Sequence, residues 1–96
     1  MHATVRRYDG VAASPHDIMR TGQQIARVLG QLPGFVTYLV WEGEDGVLAS
    51  LTIFETREDR EAADRWLASA AGAPFEAGVG RPVELSAGKL IVQRGL

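Results

Sequence analysis

Cysteine and asparagine are absent from this sequence, lysine occurs once, at Lys89, and histidine only at His2 and His16. Each shortage closes off a chemistry. Without cysteine there is neither a disulfide framework nor a thiolate for catalysis or metal binding, and thiol usage says nothing about the redox compartment. Two isolated imidazoles, with no cysteine and no cluster of histidines and carboxylates, are too few for a metal centre. No apolar run approaches the length of about 20 residues that spans a bilayer. The opening Met1-His2-Ala3-Thr4-Val5 alternates like a strand rather than like a signal sequence, so the default expectation is a cytoplasmic protein. A net charge of −2 leaves no basic footprint for nucleic acid or an anionic membrane.

What remains is ordinary globular material, 46% hydrophobic and 23% charged over 96 residues. That length makes one domain, residues 1–96, able to bury roughly two-thirds of its unfolded surface. The chain is organised around residues 32–56, LPGFVTYLVWEGEDGVLASLTIFET, which read as a β-hairpin. Two β-branched and aromatic runs flank Gly43-Glu44-Asp45-Gly46, whose glycines supply the positive φ a reversal needs. Setting Glu42 opposite Val47 puts Phe35, Thr37, Leu39, Trp41, Leu48, Ser50, Thr52 and Phe54 on one face. Val36, Tyr38, Val40, Ala49, Leu51 and Ile53 then share the other. Neither face is polar, so both need cover.

Around the hairpin the elements follow in a simple order. Residues 3–8 alternate as a strand and stop at Asp9-Gly10. Ser14-Pro15-His16-Asp17 then opens a helix reaching about Gln31, with Ile18, Gly22, Ile25, Leu29 and Leu32 on its apolar stripe. Thr56-Arg57-Glu58-Asp59 is a second capping box, and its helix, lined by Ala62, Ala63, Trp66, Leu67 and Ala70, should end near Gly72. The glycine-rich segment 72–81 reads as a loop anchored by Phe75. Residues 82–94 read as a last strand, interrupted at Ser86-Ala87-Gly88 and firmest at Leu90-Ile91-Val92.

This β-α-β-β-α-β order predicts an α+β, ferredoxin-like plait: a four-stranded antiparallel sheet with two helices on one face, because both crossovers are right-handed. The opposite face is left bare and apolar, and the strand Phe35–Glu42 is left at an edge. A second copy of the chain packed sheet against sheet would cover both, so a homodimer is expected.

With capped helix, Leu32-Pro33-Gly34-Phe35, Tyr38 and Phe54-Glu55-Thr56-Arg57-Glu58-Asp59 in view, the chain resembles the antibiotic biosynthesis monooxygenase family of dimeric α+β barrels, from about Val5 to Gln93. The resemblance implies a small pocket in each subunit between sheet and helices. Some family members use it for cofactor-free oxidation of anthrones or quinols, others for haem degradation. Where the oxygenases place a tryptophan closing the third strand this chain has Phe54, and where some place an asparagine four residues earlier it has Ser50. The haem-degrading branch expects a histidine on or after the second helix; residues 56–80 contain none, which excludes that branch.

The candidate pocket residues are Thr37, Trp41, Ser50, Thr52, Phe54 and Trp66: hydroxyls among aromatic rings, the mixed lining of a small-molecule site. Each also has a plainer reading. Threonine favours strands on propensity alone, and Trp66 at helical spacing suits the core as well as a ligand. Arg6, Arg7 and Tyr8 are candidate anchors for an anionic or phenolic ligand, with their facing left open. His16 reads as a surface residue in a first turn, and Gly78-Val79-Gly80 as a turn without the helix that a phosphate loop needs. The pairs Glu61 with Arg65 and Arg60 with Asp64 read as a solvated helix face. Two functions are therefore expected. One is a small-molecule-binding dimer that is a cofactor-independent monooxygenase of a small aromatic or quinone-like compound. The alternative is a non-catalytic ligand-binding or stress-related dimer.

Overall fold

Both helix starts form as their local chemistry dictates. The Ser14 side chain accepts the Asp17 backbone N–H at 3.2 Å and the Thr56 side chain accepts that of Asp59 at 3.1 Å, so each N-cap satisfies a donor the helix cannot. The computed structural model describes residues 1–9, 11, 13–69 and 82–96. Its elements are β1 (His2–Tyr8), α1 (Pro15–Leu29), β2 (Phe35–Glu42), β3 (Leu48–Phe54), α2 (Arg57–Ala68) and β4 (Glu84–Lys89). The sheet is antiparallel in the order β2-β3-β1-β4, the ferredoxin-like plait, with β2 and β4 at its edges.

The stretches that carry the family resemblance meet in space. The Glu55 N–H donates to the Gly34 carbonyl at 2.8 Å, and Gly34 has φ of 73° with the Asp59 carboxylate where a Cβ would stand. Glycine is required there for two reasons at once. These stretches therefore fasten the helix exit to the β3–α2 junction. They are structural, and they fix Phe35 against Phe54 in an edge-to-face pair with ring centroids 5.8 Å apart. Phe54, Leu29, Ile25 and Ala63 form the core, with Leu32, Phe35, Tyr38 and Leu67 packed against them.

The hairpin register differs from expectation by one residue. Glu42 pairs with Leu48 instead of Val47, because the Gly43 N–H donates to the Val47 carbonyl at 2.9 Å and the Asp45 side chain accepts the Val47 N–H at 3.0 Å. The connection is thus five residues long. A one-residue slip turns a whole strand over, so Tyr38, Val40 and Glu42 share the helix-covered face with Leu48, Ser50, Thr52 and Phe54. Thr37, Leu39 and Trp41 lie on the other face with Ala49, Leu51 and Ile53. A bulge between Phe35 and Thr37 returns Phe35 to the core.

Two ends also differ. β4 stops at Lys89, where its neighbour β1 runs out. The Leu90 N–H to Met1 carbonyl bond, 2.9 Å, is the last rung, and Ile91 is 93% exposed beyond it. Ser86, Ala87 and Gly88, expected as an interruption, are the middle of the strand. α2 ends at Ala68, short of Gly72, with Ser69 in extended conformation donating its N–H back to the Trp66 carbonyl. The segment 72–81, with Phe75 and Gly78-Val79-Gly80, lies outside the described residues, as does Ala70.

Candidate functional site

α1 packs on β2 while α2 packs on β1 and β3. The space between α1 and the β2 edge is not filled. A cleft of about 390 Å³ opens there, walled by Pro15, Ile18, Met19, Gly22, Gln23 and Ala26 of α1 and by Tyr38, Val40, Trp41 and Glu42 of β2, with Leu48 behind. Gly22 keeps it open: a Cβ there would stand 3.9 Å from a Val40 methyl, in ordinary contact, so the missing side chain is missing space-filling and not relief of a clash. The size and the apolar lining with a few polar groups are those of a small-molecule site.

At the inner end Ile18, Gly22, Tyr38, Val40 and Leu48 also line a smaller cavity of about 20 Å³, closed by Tyr8, Thr21, Ile25 and Ser50. That is room for about one water. Tyr38 sits between the two spaces. Burial first, then the neighbouring Tyr8 phenol, push its pKa up to about 12 against the opposing pull of Arg6. At neutral pH its hydroxyl is therefore a proton-bearing hydrogen-bond donor.

Beside this cavity stands a buried ionic network. Arg6 lies opposite Ser50 in the β1–β3 ladder and is 5% exposed. Its Nη2 donates to Asp64 Oδ1 at 2.6 Å, while Asp64 Oδ2 accepts from Arg60 Nη1 at 2.7 Å and from the Thr4 hydroxyl at 2.9 Å. Both carboxylate oxygens are engaged. Arg6 Nη1, Arg60 Nε and the Thr52 hydroxyl are buried with no hydrogen-bond partner among the described residues. Unmet buried donors are costly.

The six expected site residues do not converge. Ser50 lines the small cavity, and Trp41, although its strand position faces away from the helices, forms part of the rim of the cleft at the sheet edge. Thr37 is on the opposite face because of the register slip. Thr52 is buried at the β1–β3 ladder, and Phe54, with no exposed surface, is core. Trp66 stands half-buried on α2, whereas the cleft belongs to α1 and β2. Arg6, whose facing the sequence left open, points under the helices, and Arg7 is on the other side. Arg60 and Asp64 are drawn into the sheet by Arg6 and Thr4 instead of forming a solvated pair, and Glu61 pairs with Arg57, at 2.9 Å. Tyr38, Gly22 and Gln23 were missed. Their signal was the glycine on the apolar stripe of α1, facing a strand whose register had to be known first.

No group of three or more histidines, aspartates or glutamates that could hold a metal ion occurs among the described residues. No helix among them is long and apolar enough to cross a membrane.

An antiparallel sheet in this order with both helices on one face defines the ferredoxin-like α+β class that the sequence predicts. Within it the fold is that of the antibiotic biosynthesis monooxygenase-like structures. A single-site variant of SnoaB, a cofactor-independent oxygenase from Streptomyces nogalater, superposes with a TM-score of 0.74 at 16% identity, covering 96% of this chain and 94% of that one. Rv0793 from Mycobacterium tuberculosis gives 0.67 at 15% identity, with 98% of each chain covered. A proposed antibiotic biosynthesis monooxygenase from Bordetella bronchiseptica gives 0.67 at 11% identity, covering 95% of this chain and 97% of that one. The sequence matches no family model and no curated protein. At these identities the likeness establishes the fold.

Proposed function

We propose that the chain binds a small, flat aromatic or quinone-like molecule in the cleft between α1 and β2, and that it is a monooxygenase that needs no cofactor. The observation that carries this reading is the 390 Å³ cleft itself, apolar along Ile18, Met19, Val40 and Leu48 and with Tyr38 in its wall. A ring stacked along the apolar wall would bring a carbonyl or phenol oxygen toward Tyr38, which donates a hydrogen bond because burial keeps it protonated. The buried Arg6 guanidinium, whose charge Tyr38 feels, favours negative charge developing on that oxygen. A substrate able to form an enolate supplies its own electrons to O2. One oxygen atom enters as a ketone, and the other leaves as water with the two hydrogens lost from carbon. Glu42, which also lines the cleft, is the side chain we propose to take a proton. The fold shared with a cofactor-independent oxygenase supports the same reading.

The second reading, a non-catalytic ligand-binding dimer, draws on one observation. Phe54 is a core residue and Ser50 reaches only the small cavity, so neither position offers the indole or amide implied for the oxygenases. For either reading the working unit we propose is a homodimer joined through the face away from the helices, where Leu39 is 52% and Trp41 46% exposed.

A panel of phenols and quinones, read by Trp41 fluorescence and melting temperature, tests the site. The parent should respond and Gly22→Leu, which fills the cleft, should not. Oxygen uptake by the parent with no added cofactor supports the monooxygenase, and unchanged ligand supports the binding protein. A panel without effect on the parent, or one that binds Gly22→Leu equally, refutes the site.

A further inference from the structure

On the far side of the sheet's helical layer from the aromatic cleft, a second opening of about 350 Å³ lies between α2 and the β1–β4 ladder, lined by His2, Arg57, Arg60, Ala87, Gly88 and Lys89. Its charged lining is all of one sign or titratable to it. His2 and Lys89 are cross-strand partners on the helix-covered side, where like charges directly opposite each other destabilise a sheet. Arg57 and Arg60 come down from the first turns of α2. In a protein of net charge −2 such a concentration is a local feature and not a reflection of composition.

The nearby carboxylates pair with the two arginines but, among the described residues, not with Lys89 or His2. Asp64 is committed to Arg6, Arg60 and Thr4. Glu61 Oε1 lies 2.9 Å from Arg57 Nε and 3.7 Å from Arg60 Nη2, and the Arg57 hydrogen bond, foremost, holds Glu61 below the ordinary carboxylate range. Arg60 Nε still lacks an acceptor among the described residues. His2 is held below its usual value by burial and then by the terminal ammonium, Arg60, Lys89 and Arg57, all cationic.

We propose that this opening is a binding site for the phosphate group of a small molecule, held by Arg57, Arg60, Lys89 and His2. A dianion with three acceptor oxygens suits donors converging from two strands and a helix better than a planar carboxylate does. The site is separate from the aromatic cleft and stands or falls without it.

The test uses inorganic phosphate on the whole chain at constant ionic strength, followed by melting temperature and by the His2 imidazole resonance in NMR. Phosphate should raise the melting temperature saturably, shift the His2 resonance and move its titration upward, because a bound anion favours the imidazolium. Lys89→Ala and Arg57→Gln, both at exposed side chains that no core contact requires, should each weaken phosphate by about tenfold, the scale of one charge-assisted contact. Arg20→Gln, on α1, should leave it unchanged. Equal effects of acetate and phosphate, equal effects of Arg20→Gln and Lys89→Ala, or no saturable response would each overturn the proposal.

Discussion

Removing Asp64 should be the most destabilising single polar substitution in the described part of the chain. Asp64→Leu withdraws the acceptor for Arg6 at 2.6 Å, Arg60 at 2.7 Å and Thr4 at 2.9 Å, and it leaves Arg6, 5% exposed, as an unpaired buried charge. Breaking such a pair from one side costs about 3–5 kcal/mol. Here the lower end applies, since Arg60 keeps Glu61 within 3.7 Å and can turn toward it. For a chain of this size each kcal/mol moves the melting temperature by about 4–8 °C. A fall of at least about 12 °C is therefore expected. Removing both charges as Arg6→Met with Asp64→Leu should return stability to within about 1 kcal/mol of the parent, because apolar groups of similar volume replace a buried pair at little cost. Urea melts followed by circular dichroism on the four proteins give the coupling energy, about 2 kcal/mol or more. A loss below about 1 kcal/mol for Asp64→Leu, or a double variant no better than the single one, would show that the network is an ordinary surface pair.

Thr52→Val should leave the fold intact and raise stability by about 1 kcal/mol, since it removes a buried hydroxyl with no partner among the described residues; a thermal melt decides, and a loss would reveal an acceptor for that hydroxyl. In Tyr8→Phe, near-ultraviolet absorbance should show the remaining phenol, Tyr38, still ionising above pH 10.0 but below the parent's value of about 12, because burial, the larger cause, is kept while the Tyr8 contribution is lost. Because folding raises that pKa, the stability it contributes is present below pH 10.0 and lost as pH rises toward about 12, so alkaline melts should fall across that window. Light scattering should report twice the chain mass for the parent and the chain mass for Leu39→Asp, a change at an exposed site that a single chain tolerates and a dry interface does not. A monomeric parent would end the dimer proposal.

What the sequence made legible is local. Ser14 with Asp17, and Thr56 with Asp59, announce helix starts because the capping bond is made within three residues. The strand order follows from handedness and needs no distant contact. The site was harder because it depends on parity. Whether Thr37 or Tyr38 faces the helices turned on Val47 joining the loop, and that was settled by a hydrogen bond to Gly43 and one to the Asp45 side chain. The bulge between Phe35 and Thr37 then hid the slip, since Phe35 faces inward in either register. Arg60 and Asp64 illustrate the same limit. An i, i+4 pair has one spacing whether it meets water or a buried arginine four elements away, and only Arg6 on the neighbouring strand distinguishes the two. The end of β4 was set by its partner: Leu90, Ile91 and Val92 have strong strand propensity and no β1 left to pair with.

The central claim is that ligands enter between α1 and β2 on the helix-covered face, and backbone and methyl chemical shifts measured during titration with a flat phenol or quinone test it most directly. The account predicts concerted, saturable shifts at Ile18, Met19, Gly22, Tyr38, Val40 and Leu48, with Leu39 and Leu51 unmoved. Shifts confined to Thr37, Leu39 and Leu51, across the sheet from the cleft, would contradict it.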